Sequence, residues 1–502
     1  MMPKIRFGEY SFRVFCLIIQ KVEGTSEEDT LNRSMKPREG AGEMNGRRNR
    51  SNLFLLILSI CVFALLTIMT QIAEAQNART ISLGDAIDAA LEQNVELRQS
   101  SNQVVSGEIS VRQSKTAFLP DLSASASASK SYSRDYDPVT DLTEGRESGS
   151  LSLGLSARVT LFDGFSNIAS LQSSRLQLSA ARQSFQRTRQ SIIFETFSRY
   201  LQVLMDGELL ASERENLAAQ RQQLLRIEEY YKVGNRSRAD LLQQQAEISQ
   251  AELSVLRAEE SLNISKLQLL KTIGREPSTD YEVEILPVEE LVDQMAGKET
   301  DIDWIGALPQ RADVSAQTLS VEAAKKGITS ARSGYWPSLS LSAEIGSGYS
   351  SPSEYGDFSD QVLDINPSAR IGLSLSIPIF DRSVTRSSVQ KSQIQLANEQ
   401  LNLEDLRQTV SLEIQQALFD YSSAQKGLEA ARAQLEYTRQ ALQVTAERYD
   451  VGSAILAELS LARAQFVSAN KDWIQANYSL LIDRVALDYY TGRLNESSIS
   501  PL

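Results

Sequence analysis

Apolar and polar positions along this chain follow two periods. From Leu151 to Leu161 every odd position is apolar and every even one small or polar, and Ile371 to Ile379 repeats the rhythm through Leu373, Leu375 and Ile377. Leu122 to Ser129 and Leu339 to Ile345 are their weaker partners. Such alternation predicts strands with one apolar and one polar face. Elsewhere the pattern is helical. Between Gly164 and Gly234 there is no proline and one internal glycine, Gly207, in a composition of Ala, Gln, Leu, Arg, Glu and Ser; Arg382 to Gly452 repeats this around Gly427. At about 1.5 Å per residue each stretch predicts a helix roughly 100 Å long. Second helices run back from Ala239 to Thr272 and from Leu456 to Tyr490, and shorter ones near Gly84 to Thr116 and Asp303 to Ser333 lead into the strands.

These elements occur twice, 217 or 218 residues apart. Ala117-Phe118-Leu119-Pro120 returns as Gly334-Tyr335-Trp336-Pro337, and Leu161-Phe162-Asp163 as Ile379-Phe380-Asp381. Tyr231-Lys232-Val233-Gly234 returns as Tyr449-Asp450-Val451-Gly452, and Thr272-Ile273-Gly274 as Tyr490-Thr491-Gly492. The chain therefore reads as two structural repeats, 76–290 with strands near 119–162 and a hairpin near 164–274, and 291–502 with strands near 337–380 and a hairpin near 382–491.

A half-buried sheet in a soluble domain would satisfy the alternation, but two details favour a membrane barrel. Each strand is about long enough to cross a bilayer at a tilt, and each has an aromatic foot: Phe118, Phe162, Tyr335 with Trp336, and Phe380. The segments Arg134 to Ser148, with five acids and two arginines, and Gly346 to Pro367, with four acids and no base, read as long solvated loops. Four strands cannot close a barrel, so copies must share one: eight strands in a dimer or twelve in a trimer.

Residues 1–75 read as a leader. Arg47, Arg48 and Arg50 precede the apolar run Leu53 to Met69 and then Ala73-Glu74-Ala75, the order of a secretory signal with Met44 as a plausible true start; a membrane anchor is the alternative. Cys16 and Cys61 both lie in this part, and the chain has no histidine. Thiol chemistry, the commonest general base and the commonest soft-metal ligands are thereby missing from the remainder, which disfavours an enzyme, a metal site or a cofactor. The remainder carries 41 basic and 56 acidic residues, a net charge of −15 that is unlike a nucleic-acid binder.

The doubled Phe-Leu-Pro and Tyr-Trp-Pro lead-ins, the Leu-Phe-Asp and Ile-Phe-Asp exits and the two Tyr-x-Val-Gly turns, with Leu308-Pro309-Gln310-Arg311-Ala312-Asp313-Val314 opening the second repeat, resemble the outer membrane efflux protein family, the TolC-like channels of Gram-negative bacteria. The resemblance implies an α+β membrane protein: a homotrimer with a 12-stranded barrel in outer-membrane lipid, four strands per chain, continuous with a helical barrel of antiparallel coiled-coil hairpins in the periplasm. It further implies a periplasmic adaptor and an inner-membrane pump as partners, with small molecules or proteins as cargo. An adaptor or scaffold bridging the two membranes is the competing reading.

The resemblance also carries site residues. Tyr449 matches the tyrosine that closes the periplasmic mouth by bonding an aspartate, Asp240 matches that aspartate, and Glu458 matches an acidic ring of the pore. Gly234 and Gly452 mark the helix turns that meet the adaptor. Ala454 stands where relatives have a gate arginine, which leaves Arg236 or Arg238 as its replacement. Ser237 and Asp240 equally have the spacing of a capping box, and Tyr449 equally could pack beside its turn as its counterpart Tyr231 would.

Overall fold

In the computed structural model the described residues are 79–137, 141–277, 281–296, 311–351 and 356–495. The leader and its signal region, the start of the Leu308 motif and the 303–310 part of the expected lead-in helix lie outside them.

The two long helices form as the composition dictates. Helix α3 runs Ser166–Lys232 and α7 runs Val384–Asp450, each of 67 residues; their return helices α4, Arg238–Thr272, and α8, Leu456–Tyr490, each have 35. Short helices precede the strands: α1 (Leu83–Gln93), α2 (Val95–Thr116) and, after α5 (Val288–Ala296), α6 (Ala312–Arg332). The single helix expected over Gly84 to Thr116 is two. Asn94 leaves the helical region at ψ 130° and its Oδ1 accepts from the Glu96 and Leu97 N–H groups, so it ends one helix and caps the next.

Each strand exit starts a long helix by the same device. Asp163 Oδ2 accepts from Asn167 N at 2.8 Å, and Asp381 Oδ2 from Thr385 N at 2.7 Å. The aspartates of the two exit motifs are thus helix caps. Gly164, at φ 66°, lies where an added Cβ would come within 2.7 Å of Ser333 O, so only glycine fits that corner.

Along each long helix the antiparallel side is built from two helices end to end. In the first repeat α4 ends where α2 begins, and Asn94 Nδ2 donates to Thr272 O at 2.9 Å. In the second, α8 ends where α6 begins, and Arg311 Nη1 donates to Tyr490 O at 3.3 Å. Arg311, its side chain buried, also binds Asp313 bidentately at 3.1 and 2.5 Å and Glu413 at 2.6 Å, while Arg187 lies 3.6 Å from Asp313 and stacks on Tyr489. The largest apolar core surrounds this level. Ile192, Phe197, Tyr200 and Leu201 of α3 meet Leu269, Leu480, Leu481 and Leu487, under a small parallel pair of β1 (Arg79–Ile81) and β4 (Tyr281–Val283).

The other four strands form one antiparallel sheet: β2 (Asp121–Asp137), β3 (Leu142–Phe162), β5 (Ser338–Ser350) and β6 (Ser368–Ser376), in the order β2-β3-β5-β6. The repeats thus join through β3 and β5. The register puts Ala124, Leu155, Ile345 and Ala369 in one row and Ala126, Leu153 and Ser347 in the next, so apolar side chains gather on one face. The opposite face is polar, mostly serine and glycine with Asp121, Arg158, Glu344 and Arg370 among them, and Ser123 and Ser129 pair with Ser156 and Ser150 at 2.9 and 2.8 Å. The apolar face is bare: Ile371, Leu373 and Leu375 are 80, 65 and 61 % exposed. A soluble half-buried sheet would cover that face.

Three strand expectations need correction. Arg134 to Ser148 is not a long loop, because β2 continues to Asp137 and β3 begins at Leu142, paired residue for residue as a two-stranded arm. The arm has no apolar alternation, while its backbone ladder persists. Gly346 to Pro367 is likewise not all loop, since β5 reaches Ser350 and 358–365 is helical. The last strand stops at Ser376 rather than Ile379, because Pro378 has no N–H for a ladder.

Candidate channel mouth at the helix turns

Both hairpins turn by the same chemistry. Gly234 at φ 80° and Gly452 at φ 78° take the left-handed conformation that ends a helix. Asn235 N bonds Tyr230 O at 2.8 Å and Gly234 N bonds Tyr231 O at 3.0 Å; Ser453 N to Arg448 O and Gly452 N to Tyr449 O repeat this at 2.8 and 3.0 Å. These are Schellman turns, which absorb the last carbonyls of each long helix.

Beyond the turn the repeats diverge. Helix α4 starts with a full capping box: Ser237 Oγ accepts from Asp240 N at 3.1 Å, and Asp240 Oδ2 accepts from Ser237 N at 3.3 Å. Helix α8 has Ile455 at its N-cap and no side-chain cap. Its turn is held by packing, with Ala454, Leu456 and Leu459 buried on Ile227 and Tyr449.

Tyr449 is 2 % exposed, whereas its counterpart Tyr231 is 41 % exposed. Arg236 reaches across from the first turn, with its guanidinium carbon 4.1 Å from the Tyr449 ring centroid and Nη2 donating to Tyr449 O at 3.2 Å. With the packing of Ile227 on the second turn, that side chain ties the two hairpin tips together. The Tyr449 hydroxyl is buried without a hydrogen bond of proper geometry; the Gln223 amide lies beside it with its own Nε2 unpaired. Burial raises the phenol pKa, the Arg236 charge lowers it and the Asp240 charge raises it again, for a net rise. Asp240 therefore acts on Tyr449 through its charge while its Oδ2 serves the cap. Arg238 is exposed.

Glu458 lies in the first turn of α8, half-exposed, with Arg448 Nη2 3.5 Å from its carboxylate. Arg448, Gln223 and Ile227 were not foreseen from sequence. The Arg448–Glu458 pair spans a turn, and Gln223 and Ile227 come from the other hairpin, so no fixed spacing announces any of them.

Above the tips the contact between hairpins is polar. Within the first hairpin Gln244 Nε2 bonds Gln220 Oε1 at 2.6 Å; from the second, Arg463 Nη1 reaches the same oxygen at 3.1 Å, Ser460 Oγ bonds Glu247 at 2.6 Å and Lys471 pairs with the buried Glu213. Gln220, Arg463, Ser460, Glu247, Lys471 and Glu213 border a cavity of about 470 Å³ between α3, α4 and α8. Burial depresses the Arg463 pKa.

At the other end of the long helices, Phe118, Tyr335, Trp336 and Phe380 are exposed at the strand feet, and Phe162 stands edge-on to Phe165 at 5.3 Å.

The family model for outer membrane efflux proteins matches residues 86–275 and 306–493. The outer membrane efflux protein BepC of Brucella suis is 23 % identical over 431 residues, covering 84 % of this chain and 88 % of that protein. The outer membrane protein TolC of Vibrio cholerae is 23 % identical over 451 residues, covering 88 % and 97 %. The crystal structure of the Campylobacter jejuni CmeC outer membrane channel superposes with a TM-score of 0.71 at 20 % identity, covering 84 % of this chain and 88 % of that one. With both repeats matched across the sheet, the long helices and the turns, the chain belongs to the outer membrane efflux protein family.

Proposed function

We propose that this chain is the outer-membrane channel of a tripartite export system, through which small molecules or proteins delivered by an inner-membrane pump leave the cell. The observation that carries the reading is the sheet: a bare apolar face for lipid, a polar face of serine, glycine and charged side chains for a water-filled lumen, aromatic feet and two 67-residue helices continuing from it. An adaptor, the competing reading, has no use for four such strands.

The working unit is a homotrimer. Edge strands β2 and β6 have unpaired outer sides in one chain, and three copies close twelve strands. The helices below have matching bare edges. Ile394, Leu401, Leu412, Phe419, Tyr437 and Val444 line α7 at steps of 7, 11 and 18, which keep one face of a helix, and Leu242, Leu253 and Ile264 line α4 at steps of 11. One copy's α7 then meets the next copy's α4 and α2, as cyclic symmetry requires. The turns at Gly234 and Gly452 would receive the periplasmic adaptor.

The gate is the pair of tips, closed by Arg236 on Tyr449, with Asp240 holding the first turn and Glu458 giving the mouth its negative charge. No bond-making step is involved, so the chain acts as a conduit rather than an enzyme. Single-channel recording in planar bilayers tests this: folded protein from outer membranes should show a small conductance that grows when Arg236 is removed. Folded protein that conducts in neither form refutes the channel.

A further inference from the structure

The helical segment 358–365 between β5 and β6 sits on an unexpected side of the sheet. A loop joining two strands at the outer end of a barrel can fold over the lumen, stand free in water, or lie against the outside. Here two side chains decide. Tyr349 is the cross-strand partner of Leu151, and Ser347 of Leu153, so both project from the apolar face. Tyr349 packs on Phe358 with ring centroids 5.4 Å apart, and Ser347 Oγ donates to Val362 O at 2.6 Å. The segment is therefore fastened on the lipid side.

The fastening is built. Gln361, 2 % exposed, bridges the segment to the strand end: its Oε1 accepts from Ser350 N at 3.0 Å, and its Nε2 donates to Ser350 O and Gly356 O at 3.3 and 3.1 Å. Asn366 Nδ2 closes the far side on Gly348 O at 2.6 Å. Held this way, Phe358, Leu363 and Ile365 remain 52, 71 and 51 % exposed. In water these three would be an unexplained apolar patch beside an already apolar sheet.

Their height matches a membrane surface. From Leu151 to Leu161 is ten steps of about 3.4 Å, or roughly 34 Å along β3; at a tilt of about 40° this rises roughly 26 Å, against an apolar band of about 25 Å in outer-membrane barrels. The Leu151–Tyr349 row is the top of that band. On β2 the same level gives way to Lys130, which pairs with Glu147 and lies 5.3 Å from the Tyr132 ring centroid, an aromatic and charged boundary of the kind found at headgroups.

We infer that segment 358–365 is an interfacial anchor that lies in the outer leaflet against the outside of the barrel, with Phe358, Leu363 and Ile365 in lipid. It is not a lid over the pore. Asp357, Asp360 and Asp364 give it no cationic attraction to anionic lipid, so binding comes from apolar insertion. The inference rests on the outer-membrane reading of the sheet.

Both cysteines precede residue 75, so the exported chain is a thiol-free background for site-directed spin labels. Labels would be placed singly by Leu363→Cys and, separately, Phe358→Cys, in protein reconstituted into liposomes. Leu373→Cys on the apolar face is the lipid reference. Gly145→Cys, where an added Cβ meets nothing within 4 Å, is the water reference on the arm. Collision with oxygen relative to a water-soluble nickel chelate should be as high at 363 and 358 as at 373, and well above that at 145. Values at both sites equal to position 145 would overturn the anchor while leaving the barrel intact. A water-like value at 373 itself would overturn the membrane sheet and the anchor together.

Discussion

Replacing Arg236 by alanine should open the channel, while replacing Tyr449 by phenylalanine should not. Arg236 contributes a cation–π contact of about 1 kcal/mol in a half-buried setting and a charged hydrogen bond to the Tyr449 carbonyl of about 1.5 kcal/mol. Allowing for partial exposure, its loss costs each tip about 2 kcal/mol. At 1.4 kcal/mol per factor of ten, this moves each tip roughly 30-fold toward the open form. Arg236→Lys should fall between, because an ammonium cannot stack and donate in the same plane as a guanidinium. Tyr449→Phe keeps the ring, its burial and the carbonyl, and removes only a hydroxyl that makes no hydrogen bond in the chain. Planar-bilayer recordings at fixed voltage and salt would compare the closed-state conductance of the four proteins. If Tyr449→Phe opens the channel as far as Arg236→Ala, a hydroxyl contact rather than the arginine holds the gate, and this reasoning fails.

Two further outcomes are expected. Glu458→Gln should reduce cation selectivity and Arg448→Gln should increase it, since the arginine half-neutralises the carboxylate; reversal potentials across a salt gradient read both, and no change in either removes Glu458 from the pore. Burial alone would raise the Asp313 pKa, but hydrogen bonds from Arg311 and the charges of Arg311 and Arg187 bring it below its ordinary 3.8. A carboxyl with a depressed folded pKa stabilises above its unfolded pKa and loses that contribution as pH falls toward the folded value. Asp313→Asn should therefore reduce stability at pH 7 by about 2 kcal/mol, since Arg311 keeps Glu413, lowering the thermal midpoint, and the variant should lose less stability than the parent between pH 4 and pH 3 as fixed by that 3.8. An unchanged thermal midpoint would mean that the cluster at the helix junction contributes nothing.

Much of the fold is legible because its signals are local and occur twice. The lengths of α3 and α7 follow from an absence of proline and the glycine just past each C-terminus, and the Gly234 and Gly452 turns from a left-handed position that glycine adopts readily. What was missed is what has no local signature. The arm at 131–137 and 142–148 lacks apolar alternation, so its strands read as loop though their backbones pair. The tip contact depends on Arg236 meeting Tyr449 across 213 residues of sequence, and it is fixed by how two hairpins pack rather than by any spacing. The capping box at Ser237 and Asp240 is visible as a pattern; that it engages Oδ2 of Asp240 is not.

The end-to-end joints at Asn94 with Thr272, and at Arg311 with Tyr490, are laid like courses of brick, each seam backed by a neighbour that runs past it unbroken. Such a wall resists bending at its seams, but it also sets a ruler. Two rods of 67 residues fix the distance from strand foot to helix turn, and the paired shorter pieces must add up to the same length. Adding one turn to α3 alone, about 5.4 Å, would put Arg236 out of reach of Tyr449. The distance this wall can span is therefore adjustable only by matched insertions in both repeats, on both sides of each hairpin.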